Sequence, residues 1–185
     1  PTGNNNRAID LRGDTAGSVA RIINNVIYGT NDAGIQFQDT DFTYYVYNNT
    51  ISGCNDGLYG VGGTIIAKNN VLFNNTNDLT GTFDTLDYNA SDDGDGDNAI
   101  DISPGAVEVD GWNAAFTDYA NGDFTIRNIY SPLFDAGTTI TIVEDDILGA
   151  ARPYYEAYDI GAFEYYSGKA KYRFSPGANI KMRGT

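Results

Sequence analysis

The chain has 185 residues, enough for one substantial core but not for two. It carries 25 acidic against 11 basic side chains, a formal net charge of −14, and every acid lies at or before Glu164. Such a body repels nucleic acid and anionic membrane surfaces, so no nucleic-acid partner and no membrane insertion are expected. No apolar run of about 18 residues is available to span a bilayer. Cys54 stands alone, which rules out an internal disulfide and predicts a small buried apolar residue. The chain opens on Pro1-Thr-Gly-Asn-Asn-Asn without an initiator Met and enters a repeat pattern almost at once. This reads as a processed product or the ordered part of a longer protein.

Glycine is abundant (22 residues against 5 Pro), and β-branched and aromatic residues alternate with Gly and Asn clusters. That composition predicts many short strands joined by tight turns and little helix. Three segments superpose along the chain: Ile22-Ile-Asn-Asn-Val-Ile27, Val46-Tyr-Asn-Asn-Thr-Ile51 and Ala67-Lys-Asn-Asn-Val-Leu72. A polar turn follows each, leading into Asp-Ala-Gly-Ile35, Asp-Gly-Leu58 and Asp-Leu79. Ala8-Ile-Asp-Leu11 with Ser18-Val-Ala-Arg21 forms a partial earlier coil, and Phe83-Asp-Thr-Leu-Asp-Tyr-Asn89 a degenerate later one. The anchors Asn25, Asn49 and Asn70 stand 24 and 21 residues apart, one coil of a stacked solenoid. The fold expected is all-β: a right-handed parallel β-helix of about four coils over residues 1–90. Ile22/Val46/Ala67 and Ile27/Ile51/Leu72 are the expected inward stacks. Asn25, Asn49 and Asn70 should form a structural ladder at one bend, where Asn also tolerates a left-handed backbone. Leucine-rich repeats share the period, but their several leucines and single Asn per unit are missing.

On the strand carrying the anchors, Arg21/Tyr45/Ile66 and Ile23/Tyr47/Lys68 should face outward. Tyr45 and Tyr47 make that face apolar enough to pack on another β-helix or a sugar ring. On the second principal strand Asp10, Arg12, Gln36, Gln38 and Tyr59 form a polar stripe of the kind that meets carbohydrate hydroxyls. The same residues are also ordinary on an exposed sheet.

Residues 91–166 differ in character. Asp92-Asp-Gly-Asp-Gly-Asp-Asn98 places carboxylates at alternate positions, and Asp93, Asp95, Asp97 and Asp101 are the candidate ligands of a structural Ca2+. The spacing imitates the first half of an EF-hand loop, without its closing Glu or flanking helices. A solvated acidic insertion is the competing reading.

Four motifs then follow in order: Asp110-Gly-Trp-Asn-Ala-Ala-Phe-Thr-Asp118, Asn121-Gly-Asp-Phe-Thr-Ile126, Ser131-Pro-Leu-Phe-Asp-Ala-Gly137 and Asp159-Ile-Gly-Ala-Phe-Glu164. With Gly149-Ala-Ala-Arg-Pro153 between the last two, this series resembles the C-terminal module of bacterial and phage-associated parallel β-helix proteins, including those called choice-of-anchor Q. The resemblance covers roughly residues 8–166. It implies the fold and an extracellular, cell-surface or virion setting, and it implies no single activity. Physically such a module should cap the open end of the solenoid, with Trp112, Phe116, Phe124, Ile126, Phe134, Ile160 and Phe163 covering the last coil. Arg152 is expected to pair with Asp159 or Glu164 at the surface.

Residues 167–185 are basic, and Lys169, Lys171, Arg173, Lys181 and Arg183 alternate with apolar side chains. They read as an extended arm that orders on a partner. A protein partner or homo-oligomer, such as a trimer, is expected through this arm and the Tyr45/Tyr47 face, with polysaccharide as a further ligand.

No catalytic residue is assigned. The chain has no His, the coils carry few cations, and Asp10, Asp32, Asp39 and Asp56 make no convincing acid–base pair. Asp32 and Asp56 stand at the recurrent turn, where Asp is a turn former. Arg12-Gly-Asp14 and the Asn48, Asn74 and Asn89 acceptor sequences are read as chance matches. The expected function is a non-enzymatic structural or adhesive module of a fibre, spike or surface layer. The alternative is the C-terminal part of a polysaccharide-degrading lyase or glycoside hydrolase.

Overall fold

The computed structural model describes residues 6–13, 15–104 and 111–167. The first pass of the chain runs through β1 (Ile9–Leu11), β2 (Val19–Ile23) and β3 (Val26–Tyr28). The second runs through β4 (Ala33–Phe37), β5 (Thr43–Tyr47) and β6 (Thr50–Ser52), and the third through β7 (Asp56–Gly60), β8 (Thr64–Lys68) and β9 (Val71–Phe73). The fourth comprises β10 (Asn77–Gly81), β11 (Thr85–Asp87) and β12 (Ala90–Ser91). Each strand pairs in parallel with its counterpart one pass away, which builds three sheets: β1-β4-β7-β10, β2-β5-β8-β11 and β3-β6-β9-β12. A last strand, β13 (Ile100–Asp101), extends the third sheet. The result is a parallel β-solenoid, as the repeat predicts. Two faces are visited four times and the third five, so the chain climbs about three full turns.

The inward stacks follow the repeat. Ile22, Val46 and Ala67 share a register column, as do Ile27, Ile51 and Leu72, and Ile9, Ile35, Leu58 and Leu79. Together with Phe37, Tyr44, Ile65 and the buried free thiol of Cys54 they form the solenoid core. Burying each large aliphatic side chain there contributes about 1.5–3 kcal/mol, so the coils are held by their stacking. The turn aspartates are not in one column. Register pairs Asp56 with Ala33 and Asn77, so Asp32 precedes that column and Asp78 follows it. The next column holds Gly34, Gly57 and Asp78. A Cβ at Gly34 would lie 2.7 Å from Cγ2 of Ile51, and one at Gly57 would lie 2.6 Å from the Asp78 carbonyl. The second and third passes have glycine at this position, while the register gives the first pass Ala8 and the fourth Asp78.

After the solenoid come a single-turn helix α1 (Gly111–Ala115), the strand β14 (Phe116–Asp118), a 3-10 turn (Tyr119–Asn121) and β15 (Asp123–Ile126). β14 and β15 pair antiparallel, and irregular chain follows to residue 167. This module meets the last coil through Ala90, Ile100 and Ile102, and it also reaches further along the solenoid than the sequence predicts. Its apolar residues do form one cluster, Phe116, Phe124, Ile126, Leu133 and Ile160 buried, with Trp112, Phe134 and Phe163 against them. However, they pack on Val26, Val71, Phe73 and Ala90, members of the third sheet whose side chains lie outside the solenoid core. A smaller cluster of Ile140, Val143 and Tyr158 covers Tyr47, with Ile23, Tyr45 and Ile66 beside it on the second sheet. The module is therefore a flank laid along two sides of the solenoid and reaching back to its first pass. It does so because Val26, Val71 and Phe73 offer an apolar outer face that water would otherwise wet.

Candidate functional site

The doubled asparagines explain how flank and solenoid are joined. At each bend the second residue turns into the ladder: Asn25 Nδ2 donates to Asn49 Oδ1, Asn49 Nδ2 to Asn70 Oδ1 and Asn70 Nδ2 to Asn89 Oδ1, each at 2.9 Å. The backbone N–H groups of Asn25, Asn49 and Asn70 reach the same acceptors at 3.0 Å. The fourth rung, Asn89, belongs to the degenerate coil. The left-handed residue is the first of each pair, with φ of 56°, 52° and 55° at Asn24, Asn48 and Asn69, so the expectation placing it on the ladder anchors is corrected. These first asparagines face the flank. Asn24 Nδ2 donates to the Asp145 carbonyl, Asn48 Nδ2 to the Asp159 and Gly161 carbonyls, and Asn69 Nδ2 to the Thr138 carbonyl. Asn69 Oδ1 accepts from the Thr138 amide, and Thr50 Oγ1 from the Ala162 amide.

The flank's own motifs converge on four carboxylates. Asp135, Asp146, Asp159 and Glu164 accept hydrogen bonds from eight backbone amides among residues 135–165. One cation serves them: the fully buried Arg152 guanidinium donates to Glu164 at 2.6 Å, and also to the carbonyls of Asp159 and Gly161. The expected surface pair is thus a buried one, made with Glu164, while Asp159 contributes its carbonyl. Burial pushes the Asp159 carboxyl up to about 6 and the Glu164 carboxyl up to about 7, against the opposing pull of Arg152. Each of these carboxylates is engaged in holding chain. The sequence motifs encode a knot.

The polar stripe of the first sheet is partly engaged within the chain. Asp10, Gln36, Tyr59 and Thr80 share a column on the first sheet. The Asp10 carboxylate accepts from Arg7, Arg12 and Gln38, at 3.1, 3.0 and 2.6 Å, and those hydrogen bonds hold it below the usual carboxylate range despite some desolvation. Gln36 is buried, Gln38 and Tyr59 are half-buried, and Asp10 and Arg12 are exposed.

The acidic loop gathers a different set of ligands from the one its spacing predicts. Asp78, Asp92 and Asp93 each bring a carboxylate oxygen within 4.8 Å of the others. Asp95, Asp97 and Asp101 do not join them: Asp97 makes a backbone bridge to Asp87, and Asp101 lies in β13 with its carboxylate on the Ser103 amide. Asp78 is missing from the sequence reading because it stands 14 residues upstream of Asp92, at the end of the glycine column. It is fully enclosed, accepts from Asn75 Nδ2 and from the Asp92 amide, and has no cationic partner among the described residues. Burial, together with the neighbouring Asp92 carboxylate, pushes its carboxyl up to about 8. Three oxygens so placed suit a proton or a hard divalent cation.

The Tyr45/Tyr47 face is partly covered by the chain itself: Ile140, Val143 and Tyr158 bury Tyr47, while Tyr45 stays half-buried. Beside that contact a cleft of about 390 Å³ remains between the second sheet and residues 139–142. Lys169, Lys171, Arg173, Lys181 and Arg183 lie outside the described residues.

No protein-family model, curated protein or solved structure matches the chain. Among the described residues no helix is long and apolar enough to cross a membrane.

Proposed function

We propose that the chain is a non-enzymatic structural or adhesive module of an extracellular or virion-surface assembly, in contact with glycans. The observation that carries this reading is the commitment of the carboxylates. Asp10 is engaged by two arginines and a glutamine, and Asp135, Asp146, Asp159 and Glu164 by backbone amides and Arg152. An acid–base pair for glycoside chemistry needs carboxylates that face a substrate and exchange protons with it. These face the chain itself. The motif order that resembles the C-terminal module of choice-of-anchor Q proteins supports the surface setting. The three carboxylates of Asp78, Asp92 and Asp93 support a structural calcium ion in place of the set Asp93, Asp95, Asp97 and Asp101.

Light scattering on the intact chain and on a version ending at residue 166 tests the assembly reading. The intact chain is expected as a defined oligomer and the shortened one as a monomer. Two clean monomers would overturn assembly through the basic arm, and turnover of a polysaccharide would overturn the non-enzymatic reading.

A further inference from the structure

We propose that the cleft between the second sheet and residues 139–142 is a binding site for a carboxylated sugar, a uronate unit of a polysaccharide. The inference deepens the adhesive reading by naming a ligand class, and it rests on that reading. The cleft is lined by Arg21, Tyr45, Tyr47 and Lys68 on one wall and by Thr139 and Thr141 with their isoleucine neighbours on the other.

Charge singles this place out. Residues 1–164 carry six cations against 25 acids, yet two of the six meet at this cleft and no carboxylate lines it. Lys68 is already paired with Asp87 at 2.9 Å. Arg21 is exposed and makes no ion pair among the described residues; its guanidinium lies over the Tyr45 ring, 5.5 Å from the centroid. A cation–π contact of this kind fixes the guanidinium without consuming its donors, which leaves the planar fork free for a carboxylate. The rest of the lining suits a sugar ring. Tyr45 and Tyr47 lie 5.7 Å apart between centroids, giving an apolar floor with phenolic hydroxyls, and Thr139 and Thr141 are exposed at the rim. A volume of about 390 Å³ falls in the range of small-molecule sites, whose usual plan is an apolar floor with a few placed polar groups.

The wall carrying Arg21 is fixed by the sheet. Ile140 on the facing strap is anchored by its packing with Val143 and Tyr158, whose hydroxyl donates to the Ile140 and Val143 carbonyls. The cleft therefore exists before any ligand arrives, and binding need not order it.

Calorimetric titration of the intact chain with tetragalacturonate, in EDTA to remove calcium bridging, tests the site. Maltotetraose serves as the neutral control and sodium sulfate as the simple anion. The expected result is binding of tetragalacturonate alone, weakened about ten-fold by Arg21→Gln. Thr141→Asp, which puts a carboxylate at the exposed rim, should weaken it similarly through repulsion even if Arg21→Gln were to perturb folding. No binding, equal binding of maltotetraose, displacement by sulfate at matched concentration, or affinity unchanged in both variants would each overturn the site. Light scattering on the same samples separates this failure from that of the assembly reading, since neither substitution touches residues 167–185. Release of unsaturated uronate products would instead overturn the non-enzymatic reading.

Discussion

The Asn48 side-chain amide donates to the backbone carbonyl of Asp159, 111 residues further along the chain, at 3.2 Å. Asn49, its immediate neighbour, donates to Asn70 Oδ1 and the Ile22 carbonyl, each at 2.9 Å. Both side chains are fully buried. Two adjacent residues of one type thus hold two different contacts, one between coils and one between solenoid and flank.

Their substitutions should separate accordingly. Asn49→Ala removes the acceptor of the Asn25 backbone and side-chain N–H groups and the donor to the Ile22 carbonyl, at a cost of about 3 kcal/mol, while the backbone N–H of residue 49 still reaches Asn70 Oδ1. Asn48→Gly keeps a backbone that accepts positive φ and loses the flank contact, for about 1 kcal/mol. Urea unfolding gives the totals. Hydrogen exchange should speed up around residues 159–162 in Asn48→Gly and around residues 25–70 in Asn49→Ala; the same exchange pattern in both would refute the division of labour.

Asp78 makes stability depend on pH. Its carboxyl is raised to about 8 from the ordinary carboxylate range, so the folded chain holds a proton that the unfolded chain releases. The stabilisation is fully present below about pH 4 and is lost as pH rises through about 8. Asp78→Asn keeps the acceptor for Asn75 and removes the charge. It should stabilise the protein by about 1–3 kcal/mol at pH 8 and leave it nearly unchanged at pH 4. A parallel shift of the whole pH profile in urea melts would show that Asp78 is not the titrating group.

Calcium should act on the same residue. With Asp78, Asp92 and Asp93 as ligands, millimolar Ca2+ at pH 8 raises Tm by about 5 °C over EDTA. Asp93→Asn should abolish that increment and Asp97→Asn should retain it. The reverse pattern would restore the ligand set that the alternating spacing implies.

Arg152→Met leaves Glu164 buried without its counter-charge and should cost about 3–5 kcal/mol at pH 8. Glu164 is raised to about 7 and Asp159 to about 6, so both bind protons as pH falls, and a neutral carboxyl needs no cation. The penalty should therefore shrink by pH 5. Adding Glu164→Gln to Arg152→Met should recover a large part of the loss at pH 8. A penalty independent of pH in thermal melts would mean that Arg152 acts by packing alone.

Much of the solenoid was legible because its order is local. The Asn-Asn repeat and the columns headed by Ile22 and Ile27 recur at a fixed period, and a stacked coil places equivalent residues directly above one another. Three things were hidden. The role of the first asparagine of each pair depends on chain 69 to 121 residues away, and no periodicity carries that information. Phe73 and Val71 read as ordinary strand residues, although their outward side chains fix where the flank lies. Asp78 sits in a column where earlier coils have Gly34 and Gly57, and only the register discloses that a carboxylate ends that series. The cleft around Arg21 escaped for the same reason as the flank, since its second wall comes from residues 139–142.

The asparagine contacts with residues 138–161 also bear on how the protein comes apart. A plain stack of repeats loses its terminal coils one at a time, because each coil answers only to its neighbours. Here Asn24, Asn48 and Asn69, on successive passes, are tied to a single stretch of chain that spans them like a splint. A coil cannot leave without releasing the splint from the others, so piecemeal fraying gives way to all-or-none unfolding. Contacts this distant in sequence close late in folding, and interactions absent from the transition state slow unfolding most. The splint converts a modest equilibrium contribution into long lifetime, a useful property for a protein without disulfides.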